Sequence, residues 1–239
     1  MSANTKIEWT DATWNPITGC SVISPGCKHC YAMQLAGTRL KHHESRVGLT
    51  QDTSAGPVWT GEVRFNQQWL DQPIRWTKPR MIFVCAHADL FHESVPDEWI
   101  DIVVGVMWAC LYSRNGKPGH VFQVLTKRAA RMRDYFSTDR RAAWARAAVN
   151  YGGGIDPDGI FDQVMDAEGP HPRIWLGVSV EDQKRADERI PELLATPAAV
   201  RWVSAEPLLG PVLIDTLLCE MPEDEDGAPY PGRIDWVVV

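Results

Sequence analysis

The chain has 239 residues, 44% of them apolar and 23% charged, and carries a net charge of −7. This is the composition of a globular protein, long enough for one α/β barrel. Its acidity argues against a general nucleic-acid coat protein while leaving room for a local basic patch.

The opening "MSANTKIEWT" lacks the apolar centre of a signal peptide, and no stretch approaches the roughly 18 apolar residues of a membrane span. A cytoplasmic location is expected, where thiols stay reduced and clustered cysteines bind metal or do chemistry rather than form disulfides. The first motif spans residues 15–32, "NPITGCSVISPGCKHCYA". Cys20, Cys27 and Cys30 are spaced C-x6-C-x2-C, half of the six cysteines within eleven positions. Three thiolates can hold three irons of a 4Fe–4S cluster and leave the fourth iron open. They can equally hold zinc with a histidine as fourth ligand, the candidates being His29, His42, His43 and His87. The bland reading, three small core residues, fits poorly beside Gly19, Pro25 and Gly26, which shape a loop. Trp9 and Trp14 flank this loop and are expected to shield it.

From residue 81 strands and helices alternate. Met81–Ala86 is a continuous apolar run, as for a strand buried on both faces. Ser94 and Asp97, with Pro96 between them, predict a helix start. The helix, about Asp97 to Ser113, sets Trp99, Val103, Val106 and Cys110 on one stripe, with Ile100, Val104, Met107 and Leu111 beside it. His120–Thr126 is the next strand, and the basic, alanine-rich Lys127–Val149 reads as one or two helices. Arg173–Val180 and Val200–Leu208 are strands around a helix within Glu181–Thr196, and Arg233–Val239 is the last strand. Such alternation implies parallel βαβ units. The expected fold is therefore a single α/β domain over residues 1–239, a partial parallel (β/α)6-type barrel. Two glycine- and proline-rich insertions, about 150–172 and 219–232, show no helical periodicity, and the acid run Glu220–Asp226 in the second reads as a solvated turn. Because the chain stops in an apolar strand with no covering helix, a further unit is expected to be missing or supplied by a partner chain.

Parallel barrels carry their chemistry at the C-terminal strand ends. The polar residues there are His87 and Asp89, then Thr126, Lys127 and Arg128, then Ser179 and Glu181, then Ser204 and Glu206. Each has a plainer reading: the serines can satisfy backbone groups, Glu181 can favour the first turn of its helix, and the cations can be surface charges at a helix start. Their recurrence at equivalent strand ends favours a site. Arg128, Arg131, Arg133, Arg140, Arg141 and Arg146, with Tyr135, Phe136 and Trp144 among them, could face phosphates; in so acidic a chain a solvated outer helix is the stronger reading. Cys85 and Cys110 sit in apolar patterns and are assigned to the core, and Cys219 is unassigned.

The frame "NP…GC…GC…CYA" resembles the radical S-adenosylmethionine enzymes, above all the spore photoproduct lyase group. That superfamily usually has C-x3-C-x2-C with an aromatic residue before the last cysteine. Here the first gap is three residues longer and His29 fills the aromatic position. "IEWTDATWNPITGC", "DLFHESVP", "FQVLTKR", "WLGVSVED", "SAEPLLGP" and "IDWVVV" together resemble an uncharacterised phage and prophage three-cysteine family related to those enzymes, with the same longer gap. Its members continue past the final strand with a Gly-Gly-Glu segment and a further C-terminal region.

The resemblance implies Cys20, Cys27 and Cys30 as cluster ligands and S-adenosyl-L-methionine at the open iron. The expected cofactor-binding set is His29 and Tyr31 from the cysteine loop with Asp89, Ser179, Glu181 and Glu206 from the strand ends. The resemblance also implies a flavodoxin- or ferredoxin-like electron donor, a nucleic-acid or nucleotide substrate, and a host cytoplasm as the location. The rival readings are a non-enzymatic zinc-binding phage protein and a catalytically inactive fragment.

Overall fold

The computed structural model describes residues 5–112, 119–153, 156–214 and 233–239. In chain order the first elements are β1 (Ala12–Trp14), β2 (Ile17–Thr18), α1 (Tyr31–Gly37), β3 (Thr50–Thr53), β4 (Gly56–Trp59) and β5 (Arg64–Phe65). Then come β6 (Met81–Val84), α2 (Asp97–Leu111), β7 (Val121–Thr126), α3 (Ala129–Phe136), α4 (Arg141–Tyr151) and α5 (Pro157–Met165). The last are β8 (Ile174–Ser179), α6 (Gln183–Ala195), β9 (Val200–Ser204) and β10 (Trp236–Val238).

Six strands form one parallel sheet in the order β1-β6-β7-β8-β9-β10. Helices flank it, the arrangement of a partial α/β barrel, and among the described residues no pairing joins β1 to β10. The central strands are the expected apolar runs: Ile82, Val84, Phe122, Val124, Leu176 and Val178 are all buried. β6 ends before the expected Ala86, because Cys85 turns into the left-handed region at φ 57 while its N–H donates to the Trp14 carbonyl at 2.8 Å. β1, which the sequence reading did not assign, pairs Thr13 with Phe83. Three residues are too few to show a period, yet this pairing carries the chain straight into the cysteine loop.

α2 starts as expected, but Ser94 does not cap it. Pro96 occupies the cap position, and the Ser94 N–H donates to His92 Nδ1 at 3.1 Å. Asp97 and Glu98 occupy the first turn, where negative charge suits the helix dipole. Gly105 lets α4 close on α2, since a Cβ there would lie 2.5 Å from that of Ala147. The basic segment forms two helices, α3 and α4.

α5 corrects the reading of 150–172 as wholly irregular. Asp156 accepts the Gly159 N–H at 3.3 Å, Pro157 takes the first turn, and Ile160 and Val164 are buried four positions apart. Only two of its nine residues are buried apolar ones, and the glycines and prolines around them hid so short a period. The 219–232 insertion and its acid run lie outside the described residues.

One face of the sheet carries a cluster of indoles. Trp9 meets Phe83 at 4.9 Å and Trp202 at 5.1 Å between ring centres, and Trp236 meets Trp202 at 5.4 Å and Trp175 at 5.7 Å. Among the described residues no helix is long and apolar enough to cross a membrane.

Candidate functional site

The C-terminal ends of β6, β7, β8 and β9 open into one cavity of about 610 Å³. One wall is the cysteine loop, anchored at its start by Gly19. That residue has φ 96 and donates its N–H to the His87 carbonyl at 3.1 Å. A Cβ on Gly19 would stand 2.2 Å from the Glu62 carbonyl oxygen, so only glycine fits the turn. A short 3-10 turn, Pro25–His29, then presents Cys27, and the Cys30 sulfur caps α1 by accepting the Met33 N–H at 3.4 Å.

Cys20, Cys27 and Cys30 are all free and all line the cavity. Burial, with a contribution from Asp89, pushes the Cys20 thiol up to about 12, against the pull of Arg128. Cys85 and Cys110 do not line the cavity. Burial pushes both thiols up, as expected of core cysteines.

Two ionic clusters support the loop. Asp89 is buried; its Oδ1 accepts the Thr126 hydroxyl (2.6 Å) and the Phe91 N–H (3.0 Å), and its Oδ2 accepts the Lys127 N–H (3.0 Å) and Arg128 Nη1 (3.1 Å). Glu181, with no exposed surface, accepts Lys127 Nζ at 3.0 Å, Arg189 Nη1 at 2.9 Å and the Gly26 N–H at 3.3 Å. Burial pushes its carboxyl up, but the Ser24 hydroxyl, Lys127 and Arg189 outweigh it and hold the group at about 2.

Of the cofactor-binding set expected from sequence, His29, Tyr31, Asp89, Ser179 and Glu206 line the cavity together with the cysteines. Tyr31 donates its hydroxyl to the Ala86 carbonyl at 2.8 Å, and Glu206 accepts the Trp9 indole N–H at 3.2 Å. Glu181 is the exception: it lies beneath the loop and does not line the cavity, and it precedes the Asp182 cap rather than sitting in the first turn of α6. Lys127, Arg128, Ser204 and His87 do line it. Burial, with Arg46, lowers His87 to about 3, so its ring is neutral, and its Nδ1 is buried without a partner among the described residues. His42 and His43 stand away from the cavity. Trp9 lines the cavity as expected, but Trp14 is fully buried against Phe122 and donates to the Trp69 carbonyl at 2.8 Å. Sequence reasoning missed Ser21 and Phe83, both on the cavity wall. Ser21 was legible only as the neighbour of Cys20, and Phe83 only as one member of a buried strand.

Five of the six arginines of the basic segment are ion-paired, mostly to carboxylates outside it, whereas Arg146 is exposed with no ion pair among the described residues. Arg128 pairs with Asp89 and Glu93, Arg131 with Asp97, Arg133 with Asp134 and Glu192, Arg140 with Asp97 and Asp101, and Arg141 with Asp139. These contacts agree with an outer helical layer rather than a phosphate-binding face.

Among the described residues no three His, Cys, Asp or Glu side chains form a group that could hold a single metal ion. The donor set itself, three thiols on one wall of a cavity with a guanidinium beside one of them, has the chemistry that a polynuclear iron–sulfur cluster takes.

Fold and site together define a parallel α/β protein with a three-cysteine cavity at its strand ends. The chain belongs to the family described as Protein of unknown function (DUF5131), whose model matches residues 4–239. No curated protein and no solved structure matches it.

Proposed function

We propose that the protein is a radical S-adenosylmethionine enzyme, with a 4Fe–4S cluster held by Cys20, Cys27 and Cys30 and S-adenosyl-L-methionine at the open iron. The observation that carries this reading is the placement of all three cysteines on one wall of a roomy cavity at the C-terminal ends of a parallel sheet. When bound and reduced, cluster and cofactor supply a 5′-deoxyadenosyl radical for hydrogen abstraction.

The chain's own residues bind, orient and exclude water. Trp9, Tyr31 and Phe83 give the cavity apolar faces that keep water from a reactive species. Glu206, fixed by the Trp9 indole, offers a carboxylate to the ammonium group of the cofactor's methionine moiety. Ser179 and Ser204, paired across β8 and β9, line the cavity, and the Ser204 hydroxyl donates to Glu206 Oε2 at 3.4 Å and so helps to hold that carboxylate.

The substrate is proposed to be a nucleotide or nucleic acid, on the likeness of the cysteine frame to the photoproduct lyase group. The electron is proposed to come from a flavodoxin- or ferredoxin-like donor in the cytoplasm. A zinc site is the second reading, resting on His29 and on the buried His87 Nδ1 at the same cavity, and it requires the three cysteines to draw together around one ion.

Anaerobic purification and reconstitution decide between them. About four irons and four sulfides per chain, with slow 5′-deoxyadenosine release on reduction in the presence of S-adenosylmethionine, are expected. Stoichiometric zinc with no iron would overturn the proposal.

A further inference from the structure

Arg128 leaves the end of β7 with its guanidinium almost wholly buried and spread over four partners. Nε donates to Glu93 Oε1 at 2.8 Å, and Nη1 donates to Asp89 Oδ2 at 3.1 Å and to the Cys20 sulfur at 3.8 Å. Nη2 donates to the Ser21 hydroxyl oxygen at 2.7 Å. Charge balance would be met by the two carboxylates alone. The fork instead reaches past them to the first cysteine of the loop and its neighbour.

Ser21 is constrained from a second side. His92 Nδ1 accepts the Ser94 N–H at 3.1 Å, so it carries no proton, and the ring's proton sits on Nε2. That Nε2 lies 3.0 Å from the Ser21 oxygen and donates to it. The serine oxygen thus accepts from both Arg128 and His92, and its own proton can only be donated. Among the described residues no acceptor receives that proton, and Ser21 lines the cavity.

We infer that Arg128 is a positioning residue for the iron–sulfur centre, presenting an N–H to the Cys20 sulfur and, with His92, fixing the Ser21 hydroxyl as a donor into the cavity. This rests on the iron–sulfur reading above. Donors to thiolate or sulfide sulfur stabilise the more negative, reduced cluster, so this pair raises its reduction potential. Without Arg128 the Asp89 carboxylate would face Cys20 uncompensated and push the potential the other way.

The test compares wild type, S21A and R128K after anaerobic reconstitution. Iron content, the melting temperature of the apoprotein and the midpoint potential from a redox titration followed by electron paramagnetic resonance are measured. S21A is expected to keep full iron and to titrate at a more negative potential, with a lowered apoprotein melting temperature because it strands the Arg128 and His92 donors. R128K, which keeps the charge but loses the fork, is expected to shift the same way with partial iron loss. If R128K does not fold, S21A decides alone. Wild-type potentials in both variants at full iron content would overturn the inference. A wild-type protein that assembles no iron–sulfur cluster would overturn the reading beneath it, and the inference with it.

Discussion

Glu181 accepts the Gly26 backbone N–H at 3.3 Å, so a carboxylate at the end of β8 holds the cysteine turn 155 positions earlier in the chain. The contact is tight: a Cβ on Gly26 would meet Glu181 Cδ at 3.1 Å. Lys127 and Arg189 neutralise the charge from the other side. The residue expected to touch a cofactor instead fixes the loop that would hold one.

Glu181 should therefore appear in the acid stability of the protein. Its folded carboxyl sits at about 2, below the ordinary value of 4.5, so its contribution is full above about 4.5 and is lost as pH falls toward 2. That contribution is worth about 3 kcal/mol at neutral pH. Glu181→Gln is expected to lose stability of that order at pH 7 and to flatten the pH dependence across this window in denaturant titrations. An unchanged acid limb would contradict the burial and pairing described for Glu181.

Cluster ligands and core cysteines should separate cleanly. Cys20→Ala, Cys27→Ala and Cys30→Ala are each expected to abolish iron retention after anaerobic reconstitution. Cys110→Ala, in the core packing of α2, should retain iron and cost roughly 1 kcal/mol. Equal iron loss in all four would show that the three-cysteine assignment is wrong.

Gly177 in β8 makes room for the indole cluster on its face of the sheet. A Cβ there would stand 2.5 Å from Trp202 Nε1, whose N–H donates to the Val124 carbonyl at 3.2 Å. Gly177→Ala is expected to displace Trp202 and destabilise the protein by about 1–3 kcal/mol, read as a lower urea midpoint with altered tryptophan fluorescence. Wild-type fluorescence and midpoint would show that the strand accommodates the methyl group.

Tyr135 tests the outer layer independently of the site. Its hydroxyl donates to Asp101 Oδ1 at 2.7 Å and accepts the Trp144 indole N–H at 2.9 Å. Tyr135→Phe should cost about 1–2 kcal/mol, since it strands the Trp144 N–H, while Arg140 still holds Asp101. Iron content should be unchanged; a loss of iron would mean that α3 communicates with the cavity.

The sheet was legible in the sequence wherever a strand is buried on both faces. There, apolar continuity is a local signal: Val121–Thr126, Ile174–Ser179 and Val200–Ser204 fall inside their expected ranges. The cysteine spacing was local too, and the three thiols do line one cavity. β1 and α5 were not legible, one with too few residues for a period and the other with its two buried apolar residues diluted by glycine and proline.

The roles of the strand-end polar residues were decided only by tertiary structure. Sequence placed Asp89, Glu181 and Glu206 at equivalent ends, yet Asp89 and Glu206 line the cavity while Glu181 is sealed beneath the loop. A carboxylate is buried only where enough cations and N–H groups converge on it to offset the lost water. For Glu181 those partners are Gly26, Lys127 and Arg189, which come from three separate parts of the chain and meet only in the folded protein.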